Sequence, residues 1–62
     1  MEVRTELPFA EAKAAVVEEL ERRYLSAVWA EADGNVSAAA RRAGLDRKHL
    51  RNLLRKHGLL DG

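Results

Sequence analysis

Between Val36 and Gly58 the chain reads VSAAARRAGLDRKHLRNLLRKHG, and the glycine in its middle constrains everything around it. The small residues Ala38, Ala39 and Ala40 let a second helix approach closely. Gly44 then supplies a sharp turn, because φ > 0 is cheap only without a Cβ. Leu45 follows as a plug between the two helices, and Leu50, Leu53 and Leu54 continue an apolar stripe at helical spacing. Interleaved with those leucines are Arg47, Lys48, Arg51, Arg55 and Lys56, which make the other face basic. Two helices at a sharp turn, the second with a basic exposed face, read as a helix-turn-helix. Such a face fits the major groove of double-stranded DNA. The plainer alternative is a helical hairpin with a solvated basic face.

Charge is distributed unevenly. Residues 1–33 carry four basic side chains against eight acidic ones, a net −4; residues 34–62 carry seven against two, a net +5. The overall +1 hides this polarity. It points the second half at a polyanion and leaves the first half for another task. Sixty-two residues allow one domain. A chain of that size buries only roughly 60% of its unfolded surface, so a lone core is marginal and a dimer would help. Without cysteine there is neither a disulfide framework nor a thiolate metal site, which is compatible with a cytosolic home. No signal-peptide pattern or membrane-length apolar run occurs, so the expectation is a cytoplasmic, nucleoid-associated protein with no membrane partner.

The expected fold class is all-α. Strand signals are nearly absent, since β-branched and aromatic residues are few and never alternate over a useful length. Residues 1–7 read as a lead-in or linker remnant, and 8–62 as the domain. The first helix should open with Pro8 at its first position, where the missing N–H costs nothing, and run about 25 residues to Gly34 as its left-handed stop. Asn35 can cap a second helix over Val36 to Ala43; Asp46 can cap a third from Arg47 to His57, stopped by Gly58. Leu59 and Leu60 should fold back on the core.

The first helix is apolar over too much of its circumference for a single core face. Phe9, Val16, Leu20 and Tyr24 define one line, while Val17, Leu25, Val28 and Trp29 lean toward another. Two apolar faces call for two partners: the helix-turn-helix of the same chain and the matching helix of a second subunit. A single wide core face is the competing reading.

On these residues the chain resembles the C-terminal DNA-binding domain of sigma54-dependent, NtrC-type transcriptional activators, which is similar to the nucleoid protein Fis. LPFAEAK at the start of the first helix, ERRYL at Glu21 to Leu25, GNVSAAARRAGLDRKHL at Gly34 to Leu50 and the closing RKHGL carry the resemblance. It implies a long N-terminal dimerisation helix, with Phe9, Val16, Leu20 and Tyr24 at the homodimer interface. It further implies a helix-turn-helix, turning at Gly44 and Leu45, that reads a dyad-symmetric, enhancer-like site. An upstream AAA+ ATPase module is the implied partner in the parent protein, with this chain as its output domain. By position, Arg47, Lys48, Arg51 and Asn52 fall to base edges. Asn35, Ser37, Arg55 and Lys56 fall to phosphates, with Arg41 and Arg42 adding charge from the side.

Two positions depart from the family pattern. Leu53 stands where relatives often carry Lys or Arg, which removes a phosphate contact or tightens the stripe. Asp46 replaces the more usual Ser, His or Asn, and serves either as a cap or as an acceptor for a cytosine amino group. His49 and His57 have no neighbouring Cys or paired carboxylates, so no metal is expected. His49, in the first turn, can touch DNA, and His57 should interact with the negative end of its helix. Glu18, Glu19 and Glu21 read as a solvated face, and Tyr24 and Trp29 as core or dimer contacts. No Ser-His-Asp set, phosphate-binding glycine loop or cofactor motif appears, so neither catalysis nor a cofactor is expected. Two other functions compete with the activator reading: a Fis-like architectural nucleoid protein with weak sequence preference, and a helical module docking an acidic protein.

Overall fold

The computed structural model describes residues 3–61 and consists of α1 (Phe9–Glu31), α2 (Val36–Ala43) and α3 (Arg47–Lys56), with no strand among the described residues. The lead-in expected over 1–7 lies partly outside the described residues. From 3 to 7 it is non-helical, closed by a bond from the Leu7 N–H to the Arg4 carbonyl at 3.3 Å.

Pro8 sits one place earlier than expected. Its backbone is extended (φ −55°, ψ 152°), so it is the N-cap and Phe9 is the first helical residue. Its carbonyl still accepts the first helical bond, from Ala12 N–H at 2.9 Å. The far end also differs. Ala32 caps α1, and the chain turns left-handed already at Asp33 (φ 53°) before Gly34 (φ 78°). Asp is among the few non-glycine residues that tolerate this region, so two left-handed residues in succession reverse the chain into α2.

The ends of α2 and α3 follow the sequence closely. Asn35 accepts from Ala38 N–H at 3.0 Å and Asp46 from His49 N–H at 2.8 Å, each satisfying an orphan donor of the first turn. At the C-terminus of α2, Leu45 N–H reaches the Ala40 carbonyl at 3.0 Å and Gly44 N–H the Arg41 carbonyl at 3.3 Å. That bond pair is a Schellman motif with Gly44 left-handed at φ 70°. Helix α3 ends the same way, through Leu59 N–H to Leu54 and Gly58 N–H to Arg55, with His57 as the cap residue.

Leu25 and Val28 of α1, Ala39 and Ala40 of α2, and Leu50 and Leu54 of α3 form the core. Leu50 and Leu54 are fully buried, contributing about 1.5–3 kcal/mol each. The fully buried Ala39 marks the close approach that the alanine run was expected to allow. Trp29, Leu45, Leu53, Leu59 and Leu60 pack around this centre. Only the C-terminal half of α1 is therefore covered. Val17, expected to lean toward the core, is 41% exposed alongside Leu20 and Tyr24. At about 100° per residue, Val17 falls within about 20° of Tyr24 but about 80° from Leu25. Phe9 is 83% exposed.

Candidate nucleic-acid interface

Leu50, Leu53, Leu54 and His57 turn inward from α3, which leaves Lys48, Arg51, Asn52 and Arg55 on its outer side, all exposed. Arg47, also exposed, stands at the N-terminus of α3. It shares a shallow hollow with Ser37 and Arg41 of α2 and with Leu45 and Asp46 of the turn. The residues expected at base edges (Arg47, Lys48, Arg51, Asn52) thus occupy one exposed surface, with Arg47 nearest α2. Among the described residues, Arg41, Arg47, Lys48, Arg51 and Arg55 have no carboxylate within ion-pairing distance. Arg55 Nη1 donates to Asn52 Oδ1 at 3.4 Å, so these two side chains extend the surface together.

The other cations of this half are engaged. Arg42 pairs with Glu31 at 3.2 Å, tying α2 to the end of α1. Lys56 does not stand beside Arg55. Its Nζ lies 3.2 Å from both Glu18 and Glu21 of α1. The two carboxylates raise the Lys56 ammonium above its ordinary value of 10.5 by accepting hydrogen bonds from it.

His57 departs from expectation as well. Its side chain is 2% exposed and turns to α1, not to the end of its own helix, with Nε2 3.0 Å from Glu21 Oε1. An ionised carboxylate can only accept, so Nε2 carries the proton it donates. The His57 and Lys56 hydrogen bonds hold the Glu21 carboxyl below its ordinary 4.5. Glu18 and Glu21 are therefore a junction between α1 and α3 and not the solvated face expected. Glu19 turns instead to its own helix, and hydrogen bonds from Arg22 and Arg23 hold its carboxyl below the ordinary 4.5.

Glu18, Glu21 and His57 bring potential metal-ligating atoms within 4.8 Å of one another, a grouping that sequence reading missed. The Lys56 ammonium already sits 3.2 Å from both carboxylates and offsets one of their two negative charges.

Asp46 is settled as a cap by its bond to His49 N–H, while His49 itself is exposed. Asn35 spends its carbonyl oxygen on Ala38, which leaves its amide N–H groups as donors beside the half-buried Ser37. Gly44 and Leu45 form the turn between the two helices, with Leu45 half-buried against the core. No helix among the described residues is long and apolar enough to cross a membrane.

Neither a curated protein nor a solved structure matches the chain. A family model does, over residues 16–57, and it is described as bacterial regulatory protein, Fis family. The matched span begins midway along α1 and contains the whole helix-turn-helix and the Glu18–Glu21–Lys56–His57 junction. A three-helix chain whose turn, caps and basic outer face fall within that match belongs to the Fis family of bacterial regulatory proteins.

Proposed function

We propose that this chain binds DNA sequence-specifically as a homodimer, at a dyad-symmetric, enhancer-like site, as the output domain of a sigma54-dependent transcriptional activator. One observation carries the DNA reading. Arg41, Arg47, Lys48, Arg51 and Arg55 are without carboxylate partners on the outer side of α2 and α3, whereas Arg42 and Lys56 are held by glutamates of α1. Cations left unpaired on one face are what a polyanion recruits, because each phosphate neutralised releases condensed counterions.

In this reading α3 lies in the major groove. Arg47, Lys48, Arg51 and Asn52 reach base edges, and an Arg bidentate to guanine O6 and N7 discriminates by about 1–3 kcal/mol. Asn35, Ser37, Arg41 and Arg55 hold phosphates on either side. Lys56 serves the junction with α1 instead. The exposed apolar residues Phe9, Leu20 and Tyr24, together with Val16, form the dimer face. The ATPase module that such a domain would tether rests on the resemblance alone.

Fluorescence anisotropy on random duplex at two salt concentrations, and on sites selected from a random pool, tests the reading. A steep salt dependence with a selected palindrome bound about 10³-fold more tightly supports it. Salt-dependent binding without an enriched motif makes the chain an architectural protein. Absence of binding at low salt turns the basic face toward an acidic protein.

A further inference from the structure

We propose that Asp46 reads a base as well as capping α3, by accepting from the N4 amino group of a cytosine in each half-site. This deepens the DNA reading above and rests on it.

The cap occupies only half of the carboxylate. Asp46 Oδ1 accepts from His49 N–H at 2.8 Å, and no other hydrogen bond reaches the side chain among the described residues. No cation pairs with it there either, although Arg41 and Arg47 line the same hollow. The residue is exposed. An ionised carboxylate can only accept, so the second oxygen is an unfilled acceptor. It stands at the N-terminus of α3, the end from which a recognition helix contacts base edges.

Capping does not require the charge. Asn35 makes the same bond at the start of α2, to Ala38 N–H at 3.0 Å, with a neutral amide. Asn and Asp cap about equally well. At the start of α3 the charge sits among exposed cations: Arg47 beside it, Arg41 across the hollow and Lys48 one residue further. A carboxylate there opposes the attraction of those cations for phosphate unless it meets a donor.

The donor identifies the base. In the major groove only cytosine N4 and adenine N6 donate. Adenine N6 lies beside the N7 acceptor, which repels a carboxylate. Guanine O6 and N7 and thymine O4 set lone pairs directly against it. Cytosine is the base that Asp46 admits. Across that pair, guanine O6 and N7 are the acceptors an arginine takes, and Arg47 is the adjacent residue. Asp46 and Arg47 thus read the two strands of one G·C pair.

Selection from a random duplex pool, run in parallel with the native chain and with Asp46→Asn, tests the assignment. Asn keeps the cap through its carbonyl oxygen and offers the groove an amide N–H, a donor in place of an acceptor. The native chain should fix cytosine at one position of each half-site. The D46N pool should replace it there by a base that presents an acceptor. Changing that cytosine should cost the native chain roughly tenfold in affinity and D46N less than about twofold. Should D46N fail to fold, the native chain decides alone: 2-pyrimidinone in place of the cytosine, lacking its amino group, should cost the same factor. Identical base preferences in the two pools, or a native pool without a fixed cytosine, overturn the assignment and leave Asp46 a cap. A native chain that binds neither random nor selected duplex at low salt overturns the DNA reading itself.

Discussion

The buried imidazole of His57 is bonded across thirty-six residues to Glu21, Nε2 to Oε1 at 3.0 Å. The bond joins the C-cap of α3 to the middle of α1. A ten-residue helix is marginal by itself, so the orientation of α3 depends on what it packs against. Leu50 and Leu54 fix its depth in the core, while His57 and Lys56 fix its far end to Glu21 and Glu18.

Replacing the imidazole should therefore loosen α3. His57→Ala removes a buried side chain and leaves Glu21 with one donor fewer, at a cost of about 1–3 kcal/mol. For a domain this small each kcal/mol lowers the unfolding temperature by roughly 4–8 °C. Thermal unfolding followed by circular dichroism measures it. An unchanged midpoint would show that the leucines alone hold α3.

The same junction makes stability depend on pH with a definite sign. Glu21 titrates below 4.5 in the folded chain, so its contribution is complete above about 4.5 and disappears as pH falls through the lower folded value. Lys56 titrates above 10.5, so its contribution is complete below about 10.5 and is lost as pH rises through the folded value. Between those limits the Glu21 and Lys56 contributions are both complete. In Glu21→Gln the acid-side fall in unfolding temperature should be shallower than in the native chain. Parallel acid profiles for the two proteins would remove Glu21 as a source of that fall.

Gly44 and Asp33 should respond oppositely to substitution. A Cβ at Gly44 meets nothing within 4 Å, so Gly44→Ala costs only the left-handed backbone at φ 70°, about 1–2 kcal/mol. Asp33 already bears such strain at φ 53°, and Asp33→Gly should relieve it for a gain of no more than about 1 kcal/mol. Urea midpoints of the two variants, on either side of the native one, are the expected outcome. Equal losses for both would mean that Asp33 makes a contribution in its own right.

Local features were legible in the sequence and distant pairings were not. Asn35, Gly44, Asp46 and Gly58 each act on their own or neighbouring backbone, so residue type alone placed both ends of α2 and the start of α3. The leucine stripe of α3 was visible because its period is local. Lys56 looked like a neighbour of Arg55 on a basic face, and only the packing of α3 against α1 brings it to Glu18 and Glu21. Val17 was assigned toward the core because adjacent apolar residues divide ambiguously between two faces. Its half-exposed position follows from the angle it shares with Tyr24.

Lys56 and Arg55, adjacent in sequence, should separate in their effects on DNA binding. Each phosphate contact contributes about 0.9 to the slope of log K against log salt. Arg55→Ala should lower that slope by about one on selected and random duplex alike, while Arg51→Ala should cost about 1–3 kcal/mol on the selected site only. Lys56→Ala should leave the slope unchanged and act on the unfolding temperature, because its ammonium is engaged by two carboxylates of α1. Anisotropy titrations at several salt concentrations distinguish the cases. Equal slopes for Arg55→Ala and Lys56→Ala, both below the native value, would mean that Lys56 leaves Glu18 and Glu21 when DNA binds. The junction would then open on binding, and α1 would register the occupancy of α3.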